Sequence, residues 1–295
     1  MKKSKDKKRR ERKILIKRLV IFLFGAAVLL TACSSSQPEG QSGQWSEQRI
    51  ISEAEQEQQA YIVNREEYDF FKSLYEKDTG NEPDDQELRN LIAYNHAEFY
   101  LSVLLGIRQD DSYEGLKQEW EQENDSRSEK LKSGEVFYGP SEFEFLSYYE
   151  YIHSNLRLEN VEKLSQNADE QMDSEAEAYF EEHKEDYQEI QSIKCILSDG
   201  EKKEEKEFTY SEIRSLQKTN DALLQFLLNA EKGEVMEIQQ DGRLIRVEFV
   251  SMSVTQKQYS EIKSTVMQDY IENQYYDGLV NEIAEAIPIS YETEE

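Results

Sequence analysis

The stretch SIKCILSDG, Ser192 to Gly200, sets a single thiol inside a short apolar run of strand character. A cysteine attacks only as thiolate, which requires a nearby cation or helix N-terminus to lower its pKa. Lys194 is the adjacent base, and strand alternation turns it to the opposite face from Cys195. Three readings stand side by side: a reactive thiol, a buried filler, or a residue occupying the place of a lost catalytic group. His96, His153 and His183 are widely spaced and fall in helical segments, which suits solvated or edge-of-core histidines better than a metal site. Ser215 to Lys218 and Ser260 to Lys263 have the S-x-x-K spacing of serine acyl-enzymes, but the companion S-D-N and K-T-G motifs are absent. Both pairs read as helix surface. No G-x-G-x-x-G, Walker A or H-E-x-x-H motif occurs. With 62 Asp and Glu in the chain, carboxylate pairs carry no information about acid–base catalysis. No cofactor and no metal are expected.

The N-terminus carries a second kind of chemistry. A basic segment, MKKSKDKKRRERKILIKR, precedes an apolar run from Leu19 to Leu30, and then TACSSS. This is the layout of an export signal with an apolar core short of the roughly 20 residues that span a bilayer. Leu30-Thr31-Ala32-Cys33 fits the lipobox of bacterial lipoproteins, in which the cysteine becomes the lipidated N-terminus. The alternative is an uncleaved signal anchor. Residues 1–32 are therefore expected to be a signal peptide, and 33–45, rich in Ser, Gly and Gln, a flexible tether. The expected location is extracytoplasmic, on the outer face of the bacterial cytoplasmic membrane, held by lipid on Cys33. That leaves Cys195 without an intramolecular partner, so packing rather than a disulfide must stabilise the fold.

The leader holds 11 of the 35 basic and 2 of the 62 acidic residues, leaving 24 basic, 60 acidic and a formal charge of −36. Such a surface repels phosphate backbones, which excludes nucleic acid as a partner, and it gains nothing from anionic lipid. Basic clients are favoured.

Periodicity places the elements. Residues 46–164 read as helices. Pro83-Asp84-Asp85 reads as a helix start with proline in the first turn, followed by Leu88, Ile92, Phe99 and Val103 at helical spacing. Asp110 to Glu135 reads as polar, partly helical and weakly buried. Ser141 is expected to cap the next helix, with Glu144 completing a capping box, and Phe145, Tyr149, Ile152 and Leu156 lining one face. An acidic helix covers roughly Asp173 to Tyr187. The period then shortens: SIKCIL, FTYSEI, EVMEI and RLIRVEFVSM read as strands, EKKEEKE as a solvated turn, and NDALLQFLLNAEKG as a helix ending at Gly233. One long final helix, with Ile262, Val266, Tyr270, Tyr276, Val280, Ile283 and Ile287 on one face, stops at Pro288. The expected fold is mainly α with a small α+β insert: a helical domain from 46–189 and 255–291, and an insert at 190–254.

This order of segments resembles the SurA/PrsA-type foldases, exported chaperones with a parvulin-like peptidyl-prolyl isomerase domain. The resemblance runs from Tyr61 to Tyr291. YIVNREEYDFFKSLY is similar to the family's opening strand, V-N-G and helix, with Arg65 in place of the glycine. EAEAYFEEHKEDYQEIQSIKCIL is similar to its approach to the isomerase domain, KGEVMEIQQDGRLIRVEFV to its closing strands, and the last helix ending in IPISY to its return helix. What the resemblance implies for the site is a deficit. Cys195 stands in the place of the first parvulin histidine and Leu244 in that of the second, and the Gly-Gly-x-Leu-Gly stretch has no counterpart. Prolyl isomerisation has a barrier of about 20 kcal/mol that a dry, shaped pocket lowers, so strong isomerase activity is not expected.

Three functions follow as expectations. The first is a lipid-anchored foldase or holdase for unfolded or nascent secreted polypeptides, using aromatic helical surface without a covalent step. The second is a non-catalytic accessory lipoprotein of an envelope complex. The third, and weakest, is a thiol sensor at Cys195.

Overall fold

The computed structural model describes residues 46–57, 59–240 and 242–292. The lipidation site Cys33, the signal peptide 1–32 and the tether 33–45 lie outside the described residues. The described chain is mostly helical with a small sheet portion. It divides into two compact units, residues 178–262 and residues 46–177 with 263–292.

In the helical unit the first four helices each start at a residue suited to hold their exposed N–H groups. Ser46 caps α1 (Glu47–Glu55), Asn64 caps α2 (Arg65–Thr79) and Ser112 caps α4 (Tyr113–Ser133). Asp84 caps α3 (Asp85–Leu104) and exchanges bonds with Glu87 as a capping box, so Pro83 precedes the helix rather than entering its first turn. The polar segment expected to be partly helical is one full helix, α4. The capping box expected at Ser141 does not form. Helix α5 (Phe145–Gln166) starts four residues later with Glu144 as an N-cap that makes no side-chain bond. The cause lies in α4: Asn124 accepts from the Phe143 N–H at 2.8 Å and donates to its carbonyl at 3.0 Å, holding the backbone extended there.

After α6 (Glu170–Glu182) the chain forms the second unit and returns through α9 (Tyr259–Tyr270). The single long final helix is in fact two, because a π turn at Ile271–Tyr275 separates α9 from α10 (Tyr276–Ala286). That turn absorbs the six-residue step from Tyr270 to Tyr276, which a straight helix cannot keep on one face. Ile262 has φ −130° and lies at a kink outside the buried stripe. Helix α10 buries Tyr276, Leu279, Val280 and Ile283, packing against α3 and α1. The chain ends in β6 (Ile289–Tyr291), parallel to β1 (Tyr61–Val63).

The unit of residues 178–262 extends to either side of 190–254 because Phe180 packs on Tyr187 and Tyr259. Its antiparallel sheet has the order β3-β2-β5-β4, with β2 at Gln188–Asp199, β3 at Lys202–Thr209, β4 at Val235–Gln240 and β5 at Arg243–Gln256. EKKEEKE is not a turn but most of β3, an edge strand whose charges face water and discourage further pairing. FTYSEI is not one strand. The Glu212 carboxylate accepts from the Thr209 N–H at 2.9 Å and its hydroxyl at 3.0 Å, which starts α7 (Tyr210–Thr219). Helix α8 (Asp221–Asn229) ends before Gly233, whose φ of +85° makes the turn into β4. The two helices cover one sheet face through Ile213, Leu223, Leu224 and Leu227.

Candidate functional site

Cys195 points into this core, beside Ile193, Val247 and Phe249, and is 1% exposed. Burial pushes its thiol up to about 11, so it is protonated at neutral pH. Lys194 projects from the other face, 3.8 Å from Glu207. Leu244 is not brought to Cys195. The β2–β5 register sets Cys195 against Phe249, while Leu244 lies at the far end of β5 opposite Gln239 and is 57% exposed. A thiol-specific reagent is expected to leave native Cys195 unmodified and to label it once denaturant is added; fast labelling of the native chain would revive the sensor reading.

His153, His183, Ser215 and Lys263 have local partners. His153 on α5 lies 2.6 Å from the buried Glu98 carboxylate, and His183 stacks on Tyr179 with its Nδ1 2.8 Å from that residue's carbonyl. Ser215 donates to the Glu212 carbonyl, and Lys263 pairs with Asp173. Among the described residues no group of three or more His, Cys, Asp or Glu is placed to hold a metal.

A polar cavity beside β1 gathers two groups with strongly shifted pKa values, Glu67 and His96. Tyr61 donates to Glu67 Oε1 at 2.8 Å, accepts from the Tyr113 N–H at 3.2 Å, and stacks on His96 at 3.6 Å. Burial raises the Glu67 carboxyl to about 7 and lowers the His96 imidazole to about 4. Perturbed groups of this kind mark candidate acid–base sites. Here size decides against it: the cavity among Tyr61, Glu67, His96, Asp111 and Tyr113 has room for about one water molecule, not a substrate.

The two most exposed large apolar side chains among the described residues lie in the turn between α4 and α5. Val136 is 87% and Tyr138 93% exposed, with Leu131 and Tyr151 more than half exposed beside them. This turn is held rather than loose. Gly134 ends α4 at φ +74°; Arg127 Nη1 donates to the carbonyls of Tyr138 (3.2 Å) and Pro140 (2.7 Å), and its guanidinium lies over the Phe143 ring at 4.5 Å. Trp120 Nε1 donates to the Phe143 carbonyl at 2.7 Å, and Phe143 stacks on Tyr151. Sequence periodicity passes over Val136 and Tyr138 because they follow no helical or strand period. Their signal was an apolar triplet, VFY, set between Gly134 and Gly139-Pro140, where turn chemistry calls for polar residues. No protein-family model, curated protein or solved structure matches the chain.

Proposed function

We propose that the chain is a lipid-anchored extracytoplasmic foldase or holdase of SurA/PrsA type, whose parvulin-like unit is reduced to a scaffold. The observation that carries the reading is the α4–α5 turn, where Val136 and Tyr138 are presented to solvent by a fixed backbone. Holding apolar side chains in place removes the ordering cost of binding, which suits repeated capture and release of exposed apolar segments. The pairing of β1 with β6 is in keeping with the family's return of its last segment to the N-terminal region. The separation of Cys195 from Leu244 and the filled core around the thiol support a mechanism by surface burial, without isomerase chemistry.

The chain from Gln44 onward contains all the described residues of both compact units. At near-equimolar ratio it is expected to suppress aggregation of a chemically denatured secreted protein on dilution. No suppression, together with one tight partner in a pull-down, would instead support the accessory-lipoprotein reading. The anchor is tested separately: Cys33→Ala should abolish lipid labelling and release the protein from the membrane fraction. Retention of both would overturn it.

A further inference from the structure

The charges around the α4–α5 turn are predominantly acidic. Glu129, Glu135, Glu142 and Glu144 are exposed in the last turn of α4 and in the turn itself, with Lys132 as the exposed cation among them. Residues 123–151 hold seven acids and three bases, and one of the bases, Arg127, is engaged by Glu123 and by the turn's own carbonyls. Exposed apolar residues flanked along the chain by carboxylates discriminate among occupants. A second copy docked on the same residues brings like charges together, and an anionic bilayer is repelled. An extended polypeptide with lysine or arginine beside its apolar residues satisfies both the apolar side chains and the carboxylates.

We propose that the segments captured at this turn are apolar stretches flanked by basic residues, an assignment that rests on the holdase reading and gives it a substrate class. The apolar side chains supply residence time, and the carboxylates supply encounter rate and selection against acidic segments.

The test uses fluorescence anisotropy with the chain from Gln44 onward and three labelled peptides that share one apolar centre, flanked by Lys, Gln or Glu. At about 20 mM salt the Lys-flanked peptide is expected to bind at least ~10-fold tighter than the Glu-flanked one, and at about 300 mM the difference should largely vanish. Changing the four glutamates, Glu129, Glu135, Glu142 and Glu144, to Gln should bring the Lys-flanked peptide to the level of the Gln-flanked one, with the fold checked by circular dichroism. Equal affinities for all three peptides, or a basic preference that survives the four substitutions, overturns the inference and leaves the holdase reading standing. Failure of all three to bind overturns both. A dimer in sedimentation that Tyr138→Asp dissolves assigns the turn to a second copy and overturns the inference as well.

Discussion

Replacing Glu67 with Gln should change how stability depends on pH by about 2 to 3 kcal/mol between pH 7.5 and 5, and replacing His96 with Phe should change it by about the same amount in the opposite direction. The signs follow from each group's shift. Glu67 rises from an ordinary 4.5 to about 7, mainly through burial, with Glu114 adding to the rise and the Tyr61 hydroxyl opposing it. Its contribution to stability is fully present below pH 4.5 and is lost as pH rises through 7. His96 falls from 6.5 to about 4, again through burial, against a smaller opposing contribution from the Asp111 backbone. Its contribution is present above pH 6.5 and is lost as pH falls through 4. Between pH 4.5 and 6.5 the folded chain carries this proton on the carboxyl and the unfolded chain carries it on the imidazole. The pair therefore adds almost no slope there. Glu67→Gln keeps an acceptor for the Tyr61 hydroxyl and removes one half of the balance, so relative to wild type it loses stability as pH falls. His96→Phe keeps the stack on Tyr61 and gains stability as pH falls. Urea denaturation at the two pH values checks this, with all other carboxylates cancelling in the difference from wild type. A variant-minus-wild-type difference that does not move with pH would place both groups in water rather than in the cavity.

The same cavity shows where sequence runs out. Glu67 is one of 62 acids in the chain, and nothing local sets it apart from Glu66, whose side chain pairs with Lys117 at the surface. Its state depends on Tyr61, His96 and Tyr113, which come from three other elements and meet only after folding. Helices were legible where apolar residues recur at helical spacing, as in α3 and α5. Strand β3 was not, because an edge strand with one neighbour needs few apolar residues, and six consecutive charged residues, Lys202 to Glu207, can then form one. The FTYSEI segment misled because aromatic and β-branched residues suggest a strand, while a single carboxylate at Glu212 decides for a helix start. The break at Ile271–Tyr275 was written in the six-residue step of the stripe, a period error easily read as tolerance. The apolar turn was harder still. Leu131, Val136, Tyr138 and Tyr151 lie on two helices and a connection, and their exposure is a property of packing that no window of sequence contains.

Changing Val136 and Tyr138 together to Ser should raise the concentration needed for half-maximal aggregation suppression by about tenfold or more, while the melting temperature stays within a degree or two of wild type. Side chains this exposed bury almost nothing in the folded chain, so truncation costs the fold at most about 0.5 kcal/mol. Against a bound segment they would act as central anchors, and losing about 1.4 kcal/mol of binding is already a tenfold effect. Leu158 is 61% exposed on α5 but lies outside the turn, and Leu158→Ser should leave suppression unchanged. If both variants lose activity equally, diffuse surface hydrophobicity is responsible and the turn has no special role. Arg127→Ala separates the two parts of the design. It leaves every exposed apolar side chain in place but removes the donor to the Tyr138 and Pro140 carbonyls, freeing the turn to move. Suppression should weaken in this variant too, by less than in the double Ser variant, because a mobile turn must be ordered at each capture. Full activity of Arg127→Ala would mean that apolar content alone suffices and that the fixed backbone contributes nothing to capture.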